Sequence, residues 1–327
     1  MSFSLNLCQN RINLKKLLFI CLVLSGVCAL SQTKKINILN AENTFTEPAY
    51  PGATVYLGDI YIEHDGATLK CDKAYVYQDS KLVKAMGRVV LNQGDTIIQH
   101  SKYTDYNGNT KRAKSWGNVV LNDPTMTLTT DTLHFNRTTQ HLYYNSGGTI
   151  KDSTNVLKSK EGNYYLNAKK FQGFNKVVVT NKDSKLRTNH LDYYTETGIA
   201  DVFGPSTITS DLNKIYTEKG HYNSKTGISH FLKQSKIYYG DRTIQGDSLY
   251  YDENLEFASA TKNITVTDSI NRSIAKGDYA EYYKLKDSVF ITENAVAITV
   301  RENDSTFIHG DILLTTGKVD ERIFKAL

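Results

Sequence analysis

Cysteine is scarce in this sequence, and its positions argue against a disulfide-stapled fold. Cys8, Cys21 and Cys28 lie near the amino terminus, and Cys71 is the only cysteine after them. If the first three leave with an export signal, Cys71 has no intramolecular partner even in an oxidising compartment. A lone cysteine in an alternating apolar stretch is most often a small buried hydrophobe.

Strong charge of one sign and catalytic motifs are also lacking. The 39 Lys and Arg residues nearly balance 34 Asp and Glu, and three of the positive charges, Arg11, Lys15 and Lys16, lie at the start of the chain. Without a basic stripe, we do not expect a nucleic-acid partner. We find no glycine-rich phosphate loop, no nucleophile elbow and no His-Glu-x-x-His. The sequence therefore predicts no enzyme and no cofactor.

Residues 1–31 are typical of an export signal. A positive segment is followed by the apolar run Leu17–Leu24, and Ala29-Leu30-Ser31 supplies small residues at a cleavage site. A retained membrane anchor is the alternative, but the apolar run is shorter than the ~20 residues of a spanning helix. We predict cleavage after residue 31 and a mature domain over residues 32–327.

An internal repeat organises the mature chain. Its first half is a Gly or Asn followed by alternating apolar residues, as in Gly87–Leu91 and Gly117–Leu121. Its second half is a polar residue followed by a stretch ending in Tyr or Phe, as in Asp131–Phe135. Nine copies of this second half begin at positions 72, 101, 131, 161, 189, 218, 247, 278 and 311. Such regular spacing is typical of a stacked repeat protein.

The period within each copy predicts β-strands. Apolar residues alternate with other residues at period two, and the 22 tyrosines suit a half-buried pleated surface. Only four prolines are present, and no long helical pattern is visible. Since one unit cannot bury its own apolar face, neighbouring units must stack into an elongated all-β body. Periodicity alone leaves open a closed solenoid or two facing sheets.

Three recurring residue types allow a functional and a structural interpretation. His134, His190 and His221 share one phase of the repeat, as metal ligands or as tolerated polar positions on the outer face. The recurring acids, such as Asp72 and Asp131, suggest calcium sites or acceptors for turn and bulge backbone. The tyrosines could stack on sugars or pack the sheets. We favour the structural interpretation in each case.

The repeat resembles that of the OstA/LptA family of periplasmic lipopolysaccharide-transport proteins, also found in the amino-terminal domain of LptD. The pattern Gly-x-Val-x-Leu, then a turn, then Asp-x-Leu-x-Phe carries the resemblance, best at Gly117–Leu121 with Asp131–Phe135. It extends from about Val55 to about Leu314. The resemblance implies an elongated β-jellyroll of two facing antiparallel sheets with an apolar interior.

The resemblance also implies a function in lipopolysaccharide transport. Lipid A acyl chains would lie in an apolar groove, as part of a periplasmic bridge from inner to outer membrane. Partners would be other Lpt bridge components or further copies of the chain, joined end to end by strand addition. The alternative is an exported structural or glycan-binding β-solenoid. The inward apolar residues either line this groove or fill a closed core; the candidates are Ile60, Ile62, Val89, Leu91, Val119, Leu121, Leu133, Phe135, Val177, Val179, Leu191, Ile264 and Val266.

Overall fold

The protein is built from antiparallel β-strands, as the sequence predicts. The computed structural model describes residues 34–94, 96–211, 213–286, 288–302, 304–316 and 323–327, so the predicted export signal lies outside the described residues. Residues 36–327 form a unit of their own. A single 3-10 turn, Lys284–Lys286, is the one helical element among the described residues. The strands are β1 (Asn37–Asn40), β2 (Asn43–Thr46), β3 (Thr54–His64), β4 (Ala67–Tyr77), β5 (Leu82–Gln93), β6 (Ile97–Asn107), β7 (Arg112–Asp123), β8 (Met126–Asn136), β9 (His141–Tyr144), β10 (Gly148–Lys151), β11 (Val156–Ser159), β12 (Glu161–Tyr165), β13 (Lys170–Thr180), β14 (Ser184–Tyr194), β15 (Ile199–Ser210), β16 (Asn213–Asn223), β17 (Ile228–Lys233), β18 (Ser235–Tyr239), β19 (Arg242–Gly246), β20 (Ser248–Asp252), β21 (Phe257–Asp268), β22 (Ser273–Tyr283), β23 (Ser288–Thr292), β24 (Val296–Arg301), β25 (Asp304–His309), β26 (Ile312–Thr316) and β27 (Ile323–Ala326).

A bulge in the middle of the long strands explains the sequence repeat. In β5, Gly87 and Arg88 both have positive φ, 74° and 42°, and the register shifts between Met86 and Val89. Two residues of one strand thus oppose one residue of its neighbour, which is the definition of a bulge and bends the strand. Glycine tolerates this backbone conformation at little cost. Equivalent register shifts occur in the long strands β3, β7, β13, β15 and β21.

The bulges divide the sheet into two facing layers. Layer A contains segments such as 73–77 and 82–86, and layer B contains segments such as 67–71 and 89–93. Inward side chains on β4 change parity at the bend, from Leu69 and Cys71 in layer B to Ala74 and Val76 in layer A. The apolar faces of both layers therefore point at one another, which gives the jellyroll arrangement of two antiparallel sheets.

Several rungs use two short strands in place of one bent strand. Within layer A, β9 pairs with β8 and β12, while β10 pairs with β8 and β11 in layer B. The pairs β17/β18, β19/β20, β23/β24 and β25/β26 divide between the layers in the same way. Both layers are consequently continuous antiparallel meanders in which each rung contacts the next.

Candidate functional site

The space between the layers holds two separate apolar clusters. The first extends from Ile36 to Val202, and the second from Phe231 to Leu313. Ten of the thirteen predicted groove residues are buried in the first cluster, with Val179 packed against it. Ile264 is buried in the second cluster, with Val266 packed against it. The structure thus turns every predicted groove residue inward, and whether each one contacts a lipid stays a prediction.

An apolar cavity of about 280 Å³ lies at the junction of the two clusters. This volume is close to the roughly 300 Å³ at which ligand pockets begin. Of the predicted groove residues, only Val179 and Leu191 line it. The other apolar residues that line the cavity were not among the groove residues predicted from the sequence. Their alternation with polar residues along the strands could have identified them as inward-facing. These residues are Ile150, Leu157, Leu186, Ala200, Val202, Ile208, Ile215 and Phe231.

Small residues on layer A leave this space open. Ala200 lines the cavity at the inward position that Tyr193 and Phe171 occupy on the two preceding rungs. Gly220, level with Val202, adds no side chain to the same wall. Across the cavity, Ile208 and Ile215 of layer B are only partly buried. Interiors of folded proteins are ordinarily close-packed, so a partly filled apolar space is a candidate ligand site.

Polar side chains border the cavity on the side away from the bulges. We call this side the mouth; it is formed by turns such as 195–198 and 224–227 of layer A and 152–155 and 181–183 of layer B. Asp183, Ser184, Tyr222, Ser224 and Glu253 lie there. An apolar interior with a polar rim can hold an aliphatic chain while the polar end of the ligand stays in water.

Tyrosine–aspartate hydrogen bonds join the two layers across other parts of the mouth. Tyr164 Oη donates to Asp123 Oδ2 at 2.8 Å, and Tyr193 Oη donates to Asp152 Oδ2 at 2.8 Å. Lys169 Nζ also lies 3.1 Å from Asp123 Oδ2. We call each tyrosine–aspartate pair a clasp. Because a clasp links layer A to layer B, it holds the interior shut at its rung.

Burial and hydrogen bonding act in opposite directions on the clasp carboxyls. Burial raises the pKa of Asp123, but hydrogen bonds from Thr125, Tyr164 and Lys169 outweigh burial and leave the pKa below its ordinary value. The pKa of Asp152 is lowered by the same balance. Burial, reinforced by the neighbouring carboxylate, raises the pKa of both Tyr164 and Tyr193. Each clasp is therefore a tyrosine hydroxyl donating to a carboxylate at neutral pH.

A third polar link closes the mouth nearer the amino terminus. His64 Nδ1 and Tyr106 Oη are 2.8 Å apart, and Arg137 donates to Tyr106 Oη at 2.7 Å. The same guanidinium donates to the backbone oxygens of His64 and Asp65. Burial raises the pKa of Tyr106, although Arg137 opposes the shift. This network ties the turn after β3, in layer B, to β6 and to the turn after β8, in layer A.

The recurring histidines and acids take structural positions. His134 stacks on Tyr143 with ring centroids 4.5 Å apart, and His190 lies between Phe174 and Phe203. Both sets of rings lie on the outer face of layer A, on neighbouring register lines, and His221 lies beside His230 on the line of His134. Within the described ranges, no group of three or more His, Cys, Asp or Glu side chains is placed to hold a metal ion.

Several of the recurring acids lie opposite the bulges and bond to them, whereas Asp131 accepts from its neighbour Thr132 at 3.0 Å. Asp72 accepts from the guanidinium of Arg88 at 2.6 Å, and Glu161 accepts from Asn175 Nδ2 at 2.8 Å. Asp278 accepts from the backbone N–H of Asn263 at 3.2 Å. The expected acceptor role is thus observed, mostly toward bulge side chains and once toward bulge backbone.

The one cysteine among the described residues is Cys71. Cys71 is buried between the layers, and burial raises the pKa of its thiol to about 12. A thiol held so firmly in its protonated form is a poor nucleophile. Among the described residues, no helix is both long and apolar enough to span a membrane.

Comparisons with known proteins place this architecture in a family. The chain is similar in structure to the crystal structure of LptH from Pseudomonas aeruginosa, described as the LptA homologous periplasmic component of the lipopolysaccharide transport device. That likeness has 14% sequence identity and a TM-score of 0.22, and covers 42% of this chain and 82% of that chain. A search of curated proteins finds no match. The model of the family "OstA-like protein" matches residues 33–189 and 174–245, which is more than half of the chain, so the chain belongs to the OstA-like family.

Proposed function

We propose that this protein is a periplasmic lipid-transport component that holds the acyl chains of lipopolysaccharide between its two layers. In this proposal it is part of a bridge that carries lipopolysaccharide from the inner to the outer membrane. The observation that carries the proposal is the cavity between the layers, whose lining is mostly apolar. Membership of the OstA-like family supports the same assignment.

The energetics of such a site favour an aliphatic ligand. Burying a methylene group stabilises by about 0.8 kcal/mol, so a chain of about twelve carbons gains roughly 10 kcal/mol in a dry groove. The cavity wall offers Val179, Ile208 and Ile215, whose side chains are partly exposed to it. These contacts are available around the cavity, whereas the rungs of the first cluster are filled by their own side chains.

The edges of the two layers support assembly by strand addition. At one end β1 and β2 pair with β3 only, and at the other end β25 and β27 pair with β24 and β26. These edge strands carry exposed apolar side chains, including Phe45, Phe307 and Phe324. A strand edge of this kind is a template for pairing with another chain. We propose that Lpt bridge components, or further copies of this chain, dock there.

Photo-crosslinking tests the proposed ligand. We would place benzoylphenylalanine at Val179 in the cavity wall and, as a matched control, at Tyr143 on the outer face, which is 40% exposed. With purified lipopolysaccharide, we expect an adduct at Val179 and none at Tyr143. Adducts at Tyr143 alone would contradict the proposal. Probes at the fully buried Val119 and Leu133 then measure how far a lipid path extends into the first cluster.

A glycan-binding protein is the second candidate. The aromatic rings on the outer face of layer A favour a glycan-binding function, because exposed rings such as Tyr143 and Phe203 can stack on sugars. Binding of oligosaccharides that lack acyl chains, lost on Tyr143→Ala and retained on Val179→Ala, would support this candidate over lipid transport.

A further inference from the structure

Four consecutive rungs of the mouth place a tyrosine of layer A across from a turn residue of layer B. The two clasps join residues 41 positions apart, Tyr164 with Asp123 and Tyr193 with Asp152. The same spacing relates the next two tyrosines to residues that are not acids. These pairs are Tyr222 with Asn181 and Tyr251 with Ser210.

In a clasp, the two oxygens of the aspartate have different partners. Asp152 Oδ1 accepts from the backbone N–H groups of Thr154 and Asn155 at 2.8 and 2.7 Å, which shapes the turn. Asp152 Oδ2 remains to accept from Tyr193. Asp123 divides its oxygens in the same way, with Oδ1 toward Thr125 and Oδ2 toward Tyr164. One oxygen builds the turn, and the other closes the mouth.

Asn181 keeps the turn but lacks the second acceptor. Its Oδ1 accepts from the backbone N–H groups of Asp183 and Ser184 at 3.0 and 2.6 Å, as Asp152 Oδ1 does in its own turn. The remaining atom is Nδ2, which cannot accept from a tyrosine hydroxyl, and it does not donate to Tyr222 Oη in this structure. Tyr222 makes no hydrogen bond through its hydroxyl to any described residue, although its side chain is half-buried at the mouth.

The following rung also lacks a clasp. Ser210 Oγ accepts from the backbone N–H of Asn213 at 3.2 Å and donates to its carbonyl oxygen. Tyr251 makes no hydrogen bond to a described residue through its hydroxyl. Both Ser210 and Tyr251 line the cavity, as Asn181 and Tyr222 do. Asp152 and Tyr193 line the cavity as well, so it extends from their clasp to the two rungs without one.

We propose that the replacement of the clasp carboxylate by Asn181 leaves a side entrance between Asn181 and Tyr222, through which an acyl chain enters the cavity. The entrance is bounded on one side by the Tyr193–Asp152 clasp. The occupant is an aliphatic chain because the wall behind the entrance is apolar, formed by Val179, Ile208 and Ile215. This inference rests on the proposed function only for the identity of the lipid.

Restoring the missing carboxylate tests the entrance. Asn181→Asp is nearly isosteric and supplies an oxygen that can accept from Tyr222, as Asp152 accepts from Tyr193. We would follow the association of a dansyl-labelled fatty acid with the purified protein by stopped-flow fluorescence. We expect Asn181→Asp to slow association about tenfold, the effect of one added hydrogen bond to a charged group.

A second substitution separates the clasp from other effects of the new charge. Tyr222→Phe alone is the reference for this test, because Tyr222 itself borders the entrance. Asn181→Asp combined with Tyr222→Phe should associate as fast as Tyr222→Phe alone, because phenylalanine cannot donate the hydrogen bond. An unchanged rate in Asn181→Asp, or a slow rate that Tyr222→Phe does not rescue, would overturn the entrance. Thermal unfolding followed by circular dichroism checks that all variants are folded.

The two proposals can fail independently. If the dansyl probe follows the expected pattern while lipopolysaccharide forms no adduct at Val179, the entrance stands and lipopolysaccharide is the wrong ligand. If lipopolysaccharide forms the adduct while association is insensitive to Asn181→Asp, the transport proposal stands and the side entrance is wrong.

Discussion

The rungs before Val202 and the rungs after it share one strand arrangement but differ in how the interior is filled. In the earlier rungs, Leu121, Phe135 and Phe171 are almost fully buried, and clasps join the layers. In the later rungs, inward positions carry Ala260 and Ala280, and the second cluster is smaller. The difference teaches that one backbone repeat can be filled by its own side chains, as in the first cluster, or can leave a cavity, as where the two clusters meet.

Truncation of core residues should separate the two regions most strongly. Leu121→Ala removes a side chain with 0% exposure, so we expect the free energy of unfolding to fall by about 2–5 kcal/mol. Ile208→Ala, in the partly exposed cavity wall, should cost far less, because water already reaches its side chain. Urea denaturation of both variants checks this. Equal losses would show that the cavity is as tightly packed as the first cluster.

Removing a clasp carboxylate should have the next largest effect. Asp123→Asn leaves Tyr164 and Lys169 without their acceptor, and we expect a loss of about 1–3 kcal/mol. Because the folded pKa of Asp123 is depressed, the clasp contributes stability above the unfolded pKa of about 3.9 and loses it as the pH falls through the lower folded pKa.

The pH profile of unfolding measures this contribution directly. Wild-type stability should fall as the pH drops below about 4, and the fall should be smaller in Asp123→Asn, which has no carboxyl to protonate at this position. Asn181 has no such carboxyl in the wild-type chain, so Asn181→Ala provides the matched control with an unchanged acid profile. Identical acid profiles for Asp123→Asn and the wild type would contradict the clasp.

Much of the fold was predictable from local pattern, and the cavity was not. Alternation at period two predicted the strands and predicted that Val119 and Leu121 point inward, and the structure buries both side chains. The Gly or Asn pair of each repeat marked the bulge without revealing it, because a bulge depends on the register of the neighbouring strand. In the sequence, Asn181 cannot be distinguished from any other turn asparagine. Only the structure shows that it lies across the mouth from Tyr222 of the facing layer. The 41-residue spacing of such pairs recurs from rung to rung, but it gains a meaning only once the structure shows that the two residues face each other.

Filling the cavity with a larger side chain should make its rungs resemble the closely packed rungs of the first cluster. Ala200→Leu adds a large side chain at a cavity-lining inward position of layer A, where it would occupy space used by a ligand. We expect the affinity for a dansyl-labelled fatty acid to fall by about tenfold, or about 1.4 kcal/mol, with stability unchanged or raised. Thr207→Leu, at an outward position beside Ile208, is the matched control. Unchanged binding by Ala200→Leu would place the ligand elsewhere.

The smallest difference that we predict concerns two bulges, one from each region. Gly87 and Gly204 have φ of +74° and +79°, so alanine at either position adopts a left-handed backbone that costs roughly 1–2 kcal/mol. At Gly87 the new Cβ would also lie 2.5 Å from Asp72 Oδ2, whereas at Gly204 nothing lies within 4 Å. Gly87→Ala should therefore destabilise more than Gly204→Ala in urea denaturation, since Asp72 must move away from Arg88. Equal losses would mean that backbone strain alone sets the cost and that the acid opposite the bulge adjusts freely.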